Sequence, residues 1–300
     1  MSRTVTIAAA QYDYDEVASV AAYRAKITRW VEDAVGQGAQ LLVFPEYAAM
    51  ELAAIGQKGR DLEGSIDAVS DLTPEIFAIH QELARKHGVM IVAGSAPCRL
   101  PGGTFNIAQV FGPRGAAESF TKIMPTPWER EPWHISGGRE LKVFDIGVAK
   151  VGLLICYDIE FPLLSRALAE AGAEIILAPS NTETEWGYWR VRTGAAARAL
   201  ENQVYTIHSP CVGTAPFCTA VENNTGMAGI FAPPDRGFPP NGVIALGEMN
   251  RPQWVTAKVD LDLLAEVRAN GGVRTFAHWS EQPGVAPLPK ARVIDLTQAG

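Results

Sequence analysis

The chain has 300 residues, 47% hydrophobic and 20% charged, with a formal net charge of −7. That length supports a large core without covalent staples, and an acid excess with no basic stripe excludes a nucleic-acid binder. No apolar run approaches the roughly 20 residues of a membrane span. The opening MSRTVTIAAAQYDYD turns polar too soon for a secretory leader, so no membrane partner and a cytoplasmic location are expected.

In chain order, residues 4–10 read as a strand and 17–35 as a helix by apolar spacing. Residues 39–44 form a short apolar strand stopped by Pro45. Thr73 as N-cap with Pro74 behind it predicts a helix over 73–87. Strands follow at 89–93, 105–111 and 117–122, the last two antiparallel about Gly112-Pro113-Arg114-Gly115. Residues 142–146 and 149–155 predict a hairpin at Gly147. Then come a helix over 163–171, a strand over 174–178, a long helix over 186–202 and a strand over 204–209. Strands at 227–232, 242–245 and 254–259 and a helix over 261–269 complete the set. No linker or repeat divides the chain, so a single domain over 1–282 is expected. Residues 283–300, rich in Pro and polar residues, are expected to be a disordered tail or to pack on a neighbouring subunit.

Sites in α/β folds gather beyond the carboxyl ends of strands. Four polar residues stand there: Glu46 after LLVFP, Lys122 after SFT, Cys156 after VGLLI and Asn181 after IILAPS. A thiol needs a base to become a nucleophile. None of the five histidines forms a recognisable pair with a cysteine, and His80 and His87 read as surface residues of a helix. A carboxylate such as Glu46 is then the candidate base, Lys122 the candidate oxyanion partner, and the Tyr157 N–H, at a turn into a helix, a second one. Each also has a plain structural reading: Glu46 at a helix start, Lys122 at a strand end, Asp158 and Glu160 favouring a helix N-terminus. Cys98, Cys211 and Cys218 read as small buried apolar residues, and no Cys/His cluster suggests a metal.

LLVFPEY, FTKIMP and VGLLICYDIEFP, in that order, resemble the three signature regions of the nitrilase superfamily, the carbon–nitrogen hydrolases. The stretch through Arg198, Ala199, Glu201 and Asn202 is similar to the helix that follows the family's cysteine strand, and the likeness runs over about residues 5–262. The resemblance implies a four-layer α-β-β-α sandwich and a catalytic set of Glu46, Lys122 and Cys156. It further implies a homodimer or higher homo-oligomer and no cofactor. It also implies a second glutamate in WEREPWHISGG, for which the Trp133 and Gly-Gly context favours Glu131 over Glu129. Tyr47, Tyr157, Asn181 and Trp186 are the expected substrate-binding residues by position.

Where relatives acting on acidic ω-amides carry CYD-x-RFP, Glu160 replaces the Arg. That reads either as an ion-pair swap at the helix start or as a site that repels carboxylates and favours neutral or cationic substrates. Amide hydrolysis through a cysteine thioester is the reaction expected, because KIMP…W…GG is amidase-like. A nitrilase, an N-carbamoyl hydrolase and an N-acyltransferase stay open on the same residues, since pocket shape sets the substrate. From another class, a catalytically silent scaffold would be expected if one of the three residues were missing. Arg139, Arg192 and the loop 233–241 are read as bordering either the pocket or an oligomer contact.

Overall fold

The computed structural model describes residues 2–282 and 290–298. The chain runs β1 (Thr4–Asp13), α1 (Val20–Gly36), β2 (Leu41–Val43), α2 (Leu62–His87), β3 (Met90–Leu100), β4 (Gly103–Phe111) and β5 (Ala117–Thr121). It continues through α3 (Pro127–Arg130), β6 (Ile135–Ser136), β7 (Leu141–Asp145), β8 (Lys150–Leu153), α4 (Pro162–Glu170), β9 (Ile175–Ser180) and α5 (Glu185–Asn202). β10 (Tyr205–Thr214), β11 (Asn223–Asn224), β12 (Gly229–Phe231), β13 (Val243–Leu246), β14 (Gln253–Asp260), α6 (Leu261–Asn270) and β15 (Ala291–Asp295) follow.

The strands form two sheets. One has the order β14-β1-β2-β3-β4-β5, and the other β15-β7-β8-β9-β10-β12-β13. Alternation along β1 shows how the layers arise. Val5, Ile7 and Ala9 join an interior cluster with Val143, Val151 and Leu153 of the second sheet. Ala8, Ala10 and Tyr12 point the other way, into a cluster with Tyr23 and Ile27 of α1 and Val69 and Ile79 of α2. On the far side, Leu168 of α4 and Val191 of α5 pack against the second sheet. The result is the four-layer α-β-β-α sandwich, in which each fully buried Ile or Leu contributes roughly 1.5–3 kcal/mol over leaving it exposed.

The sheets meet at two corners. At one, Tyr12 and Asp13 at the end of β1 pair in parallel with Cys211 and Val212 of β10. At the other, side chains make the join. Lys142 of β7 donates from Nζ to Glu118 Oε1 (3.0 Å) and to the Ser119 carbonyl (2.7 Å), both on β5. Arg292 of β15 reaches Glu118 at 3.4 Å and Glu140 at 2.6 Å.

Three expectations change. The helix ending at His87 begins at Leu62, capped by Asp61, whose carboxylate accepts the Gly64 N–H at 2.7 Å. Thr73 is an interior residue whose hydroxyl donates back to the Val69 carbonyl, and burial of Ile66 and Val69 outweighs the weak helix formers of that first half. His80 is fully buried, in contact with the rings of Tyr23 and Phe44. Within the expected tail, residues 291–295 instead add a parallel strand to β7 of the same chain, and Leu296 is buried in the interior cluster. Residues 283–289, 299 and 300 of that tail lie outside the described residues.

Candidate active site

The ends of β2, β5, β8 and β9 open on one cavity of about 450 Å³, whose wall includes Glu46, Lys122, Glu129, Cys156 and Asn181. Glu46 arrives on Phe44-Pro45, just past the end of β2. Gly94 lets it do so: φ is +77° at this bulge in β3, and a Cβ there would meet the Pro45 carbonyl at 2.3 Å.

Lys122 is only 1% exposed and lies between two carboxylates. Its Nζ donates to Glu46 Oε1 at 2.7 Å and to Glu129 Oε2 at 2.6 Å. Asn106, from the middle of β4, bridges the same pair, donating to Glu46 Oε1 (2.9 Å) and Glu129 Oε1 (3.2 Å). Tyr47 donates its hydroxyl to Glu129 Oε1 at 2.6 Å, and the Asn181 N–H donates to Glu46 Oε2 at 2.9 Å. Burial works against the Lys122 charge, but Glu129 and Glu46 outweigh it and hold its pKa well above the usual lysine value. Burial raises the pKa of Glu46 against the pull of Lys122. Glu129, which burial would also raise, is held below the usual carboxylate value by Lys122 and its hydrogen-bond donors.

Cys156 stands just past β8 in the left-handed region, at φ 50°, where a non-glycine residue is strained. A short 3₁₀ turn, Cys156–Glu160, starts with it. Burial, then the negative charge of Glu46, pushes the thiol well above its ordinary pKa, with Lys122 opposing. The resting sulfur is therefore a thiol, and its proton has to leave during attack.

Two further residues fix this turn. Asp158, fully buried, accepts N–H groups from Ile155 (3.1 Å), Ile123 (3.2 Å) and Met124 (2.7 Å), so one carboxyl spans the residue before Cys156 and the two after Lys122. Burial raises its pKa to about 7 despite those donors. From α5, Arg198 donates to the carbonyls of Ile159 (3.0 Å) and Glu160 (3.3 Å) and pairs with Glu201. This gives the Arg198 pattern a physical role in holding the turn.

The structure separates the expected site residues. Glu46, Lys122, Cys156, Tyr47, Tyr157 and Asn181 line one cavity. Glu131 does not: it is exposed at the end of α3, and Glu129 occupies the position beside Lys122. The reason is a capping box. Thr126 Oγ1 accepts the Glu129 N–H at 3.2 Å while Glu129 Oε2 accepts the Thr126 N–H at 2.7 Å, which turns Glu129 inward. Trp186 also stands apart, 80% exposed on the first turn of α5. Tyr47 reaches the set through Glu129, and Asn181 through its backbone. Arg139, Arg192 and residues 233–241 are absent from the cavity wall, where the guanidinium is that of Arg190.

Sequence reasoning missed Asn106 and Arg190. Asn106 had a signal: an amide inside FNIAQV is out of place in a buried strand. Arg190 had none, being one of several charged residues on a helix.

The profile described as Carbon-nitrogen hydrolase matches residues 6–268. The chain belongs to the carbon–nitrogen hydrolase family. It is 35% identical over 270 residues to "Probable hydrolase YhcX" of Bacillus subtilis (strain 168), covering 90% of this chain and 52% of that protein. The chain thus spans about half the length of that relative. It is 34% identical over 190 residues to "Nitrilase" of Pyrococcus abyssi, covering 63% of this chain and 68% of the relative. It is 34% identical over 181 residues to "(R)-stereoselective amidase" of a Pseudomonas species, covering 58% and 59%. Among solved structures, the carbon–nitrogen hydrolase of Helicobacter pylori G27 superposes with a TM-score of 0.77 at 19% identity, covering 94% of this chain and 96% of that one, which supports the fold. This member of the carbon–nitrogen hydrolase family has, among its described residues, no helix long and apolar enough to cross a membrane.

Proposed function

We propose that this carbon–nitrogen hydrolase cleaves a small amide through a thioester on Cys156. The observation that carries the reading is Lys122, buried and shared between Glu46 and Glu129, in the wall of the cavity that holds the thiol. Glu46 accepts the thiol proton as sulfur attacks the carbonyl carbon. The developing oxyanion is held by the Lys122 ammonium and the Tyr157 N–H. Glu46, whose raised pKa suits it to carry a proton, passes it to the departing ammonia or amine. Water then attacks the thioester with Glu46 again as base, releasing the acid and the thiol. Glu129 fixes Lys122, the part first assigned to Glu131.

The same residues serve a nitrilase or an N-carbamoyl hydrolase, and one relative bears the name nitrilase. Amide cleavage is preferred because the residues around Lys122 and the Gly pair are amidase-like. The test is ammonia release from a panel of amides, nitriles and carbamoyl compounds, with intact mass to catch an acyl adduct. Cys156→Ala is expected to abolish both. Full activity in that variant would overturn the mechanism, and no turnover or acyl adduct with any compound of the panel would favour a silent scaffold. A homo-oligomer is part of the proposal.

A further inference from the structure

The outer wall of the cavity carries a charge imbalance that the reaction above does not use. Beyond Glu46, Lys122 and Glu129, the charged lining residues are Glu160, Glu183, Glu222 and Arg190. The lining thus holds three further acidic residues against one arginine. Glu160 lies four residues after Cys156 in the same turn, its backbone held by Arg198, so its position relative to the sulfur is fixed. Its counter-ion is loose. Arg190 Nε stands 3.5 Å from Glu160 Oε1, and the Arg190 side chain is 63% exposed. Glu160 is the more shielded partner, at 21% exposure, while the exposed Arg190 is free to swing into solvent, so an incoming cation can take its place. The wall of the same cavity is also partly apolar, with Leu62, Trp128 and Val191. A hydrocarbon spacer suits such a wall, and a tryptophan ring is a surface that attracts a cation.

Resting on the amide-hydrolase reading, we infer that the site selects small amides bearing a protonated amine at the end remote from the scissile bond. Glu160 is the principal partner of that amine, and Glu183 and Glu222 supply the surrounding negative field. The same field rejects substrates ending in a carboxylate.

Three isosteres test this: 5-aminopentanamide (cationic), hexanamide (neutral) and glutaramate (anionic). Expected kcat/KM falls at least tenfold at each step in that order, with the cation's advantage shrinking in 0.5 M NaCl. The double variant Glu160→Gln/Glu222→Gln is expected to lower the cation-to-neutral ratio at least threefold. Equal or reversed preference, or a ratio that the double variant leaves unchanged, overturns the inference while leaving the hydrolase reading intact. If none of the three is turned over, that reading loses support, and protection of Cys156 in the unmodified protein against iodoacetamide still decides the charge preference. Protection in the order cation, neutral, anion supports it; equal protection or none overturns it.

Discussion

At the scale of single residues, the site is set by how many charges share one dry space. Burial raises the pKa of Glu46 against the pull of Lys122, while Glu129, buried as well, is held below the usual carboxylate value by Lys122 and its other hydrogen-bond donors. This makes the two glutamates unequal. Glu129→Gln removes a charge that holds Lys122 and is expected to lower kcat by about 10²-fold or more, in line with loss of an electrostatic partner in a buried site. Glu131→Gln, at an exposed position, is expected to stay within about twofold of the parent, as surface substitutions commonly do. Steady-state rates of both variants check the assignment, and reversed effects would return the role to Glu131. The sequence made Glu46, Lys122 and Cys156 legible because each follows an apolar strand. It also contained the sign that separates Glu129 from Glu131, since T-P-W-E is a capping box, but similarity to a Trp and Gly-Gly context pointed elsewhere. Contacts such as Asn106 with both carboxylates depend on strand register across the sheet, which no local pattern encodes.

At the scale of elements, short irregular segments do the positioning and the long regular ones support them. α3 is a single turn with no packing to spare, so its cap matters. Thr126→Ala is expected to cost about 1 kcal/mol in stability and to lower kcat more than it changes KM, because Glu129 would no longer be held inward. Urea unfolding together with steady-state kinetics measures both, and an unchanged kcat would detach the cap from the chemistry. The Gly pair has a similar task. The Gly138 N–H donates to the Lys122 carbonyl at 2.7 Å, and a Cβ at Gly138 would lie 2.7 Å from the Thr121 carbonyl. Hairpins and helices with strong turn residues, such as that at Gly147, read clearly from sequence. The start of α2 did not, because Thr73-Pro74 has the form of a helix start and only tertiary burial of Ile66 and Val69 carries the helix through it.

At the scale of the whole molecule, apolar alternation along the strands specified a layered sandwich, and Glu46, Lys122 and Cys156 converge because β2, β5 and β8 end on one cavity. Chain ends were less legible: nothing local in the Pro-rich tail marks residues 291–295 as the outermost strand beside β7. The proposed assembly belongs here too. Trp186 and Trp189 on α5 are exposed at 80% and 44%, an apolar helix face of the kind that a second copy covers. A mass in solution at least twice that of one chain is expected, falling to that of one chain in Trp186→Glu. Light scattering that finds a single chain in the parent protein would remove the assembly from the proposal.

The two corners of the sandwich are not mechanically alike. The seam between β1 and β10 is sewn by peptide groups, indifferent to dissolved ions, and it lies close to Glu46, since Cys211 Sγ sits 3.4 Å from the Glu46 carbonyl. The opposite seam is buttoned by Glu118 with Lys142 and Arg292, attachments that added electrolyte weakens. Rising salt is therefore expected to loosen the flank of β5, β7 and β15 before the edge beside Glu46.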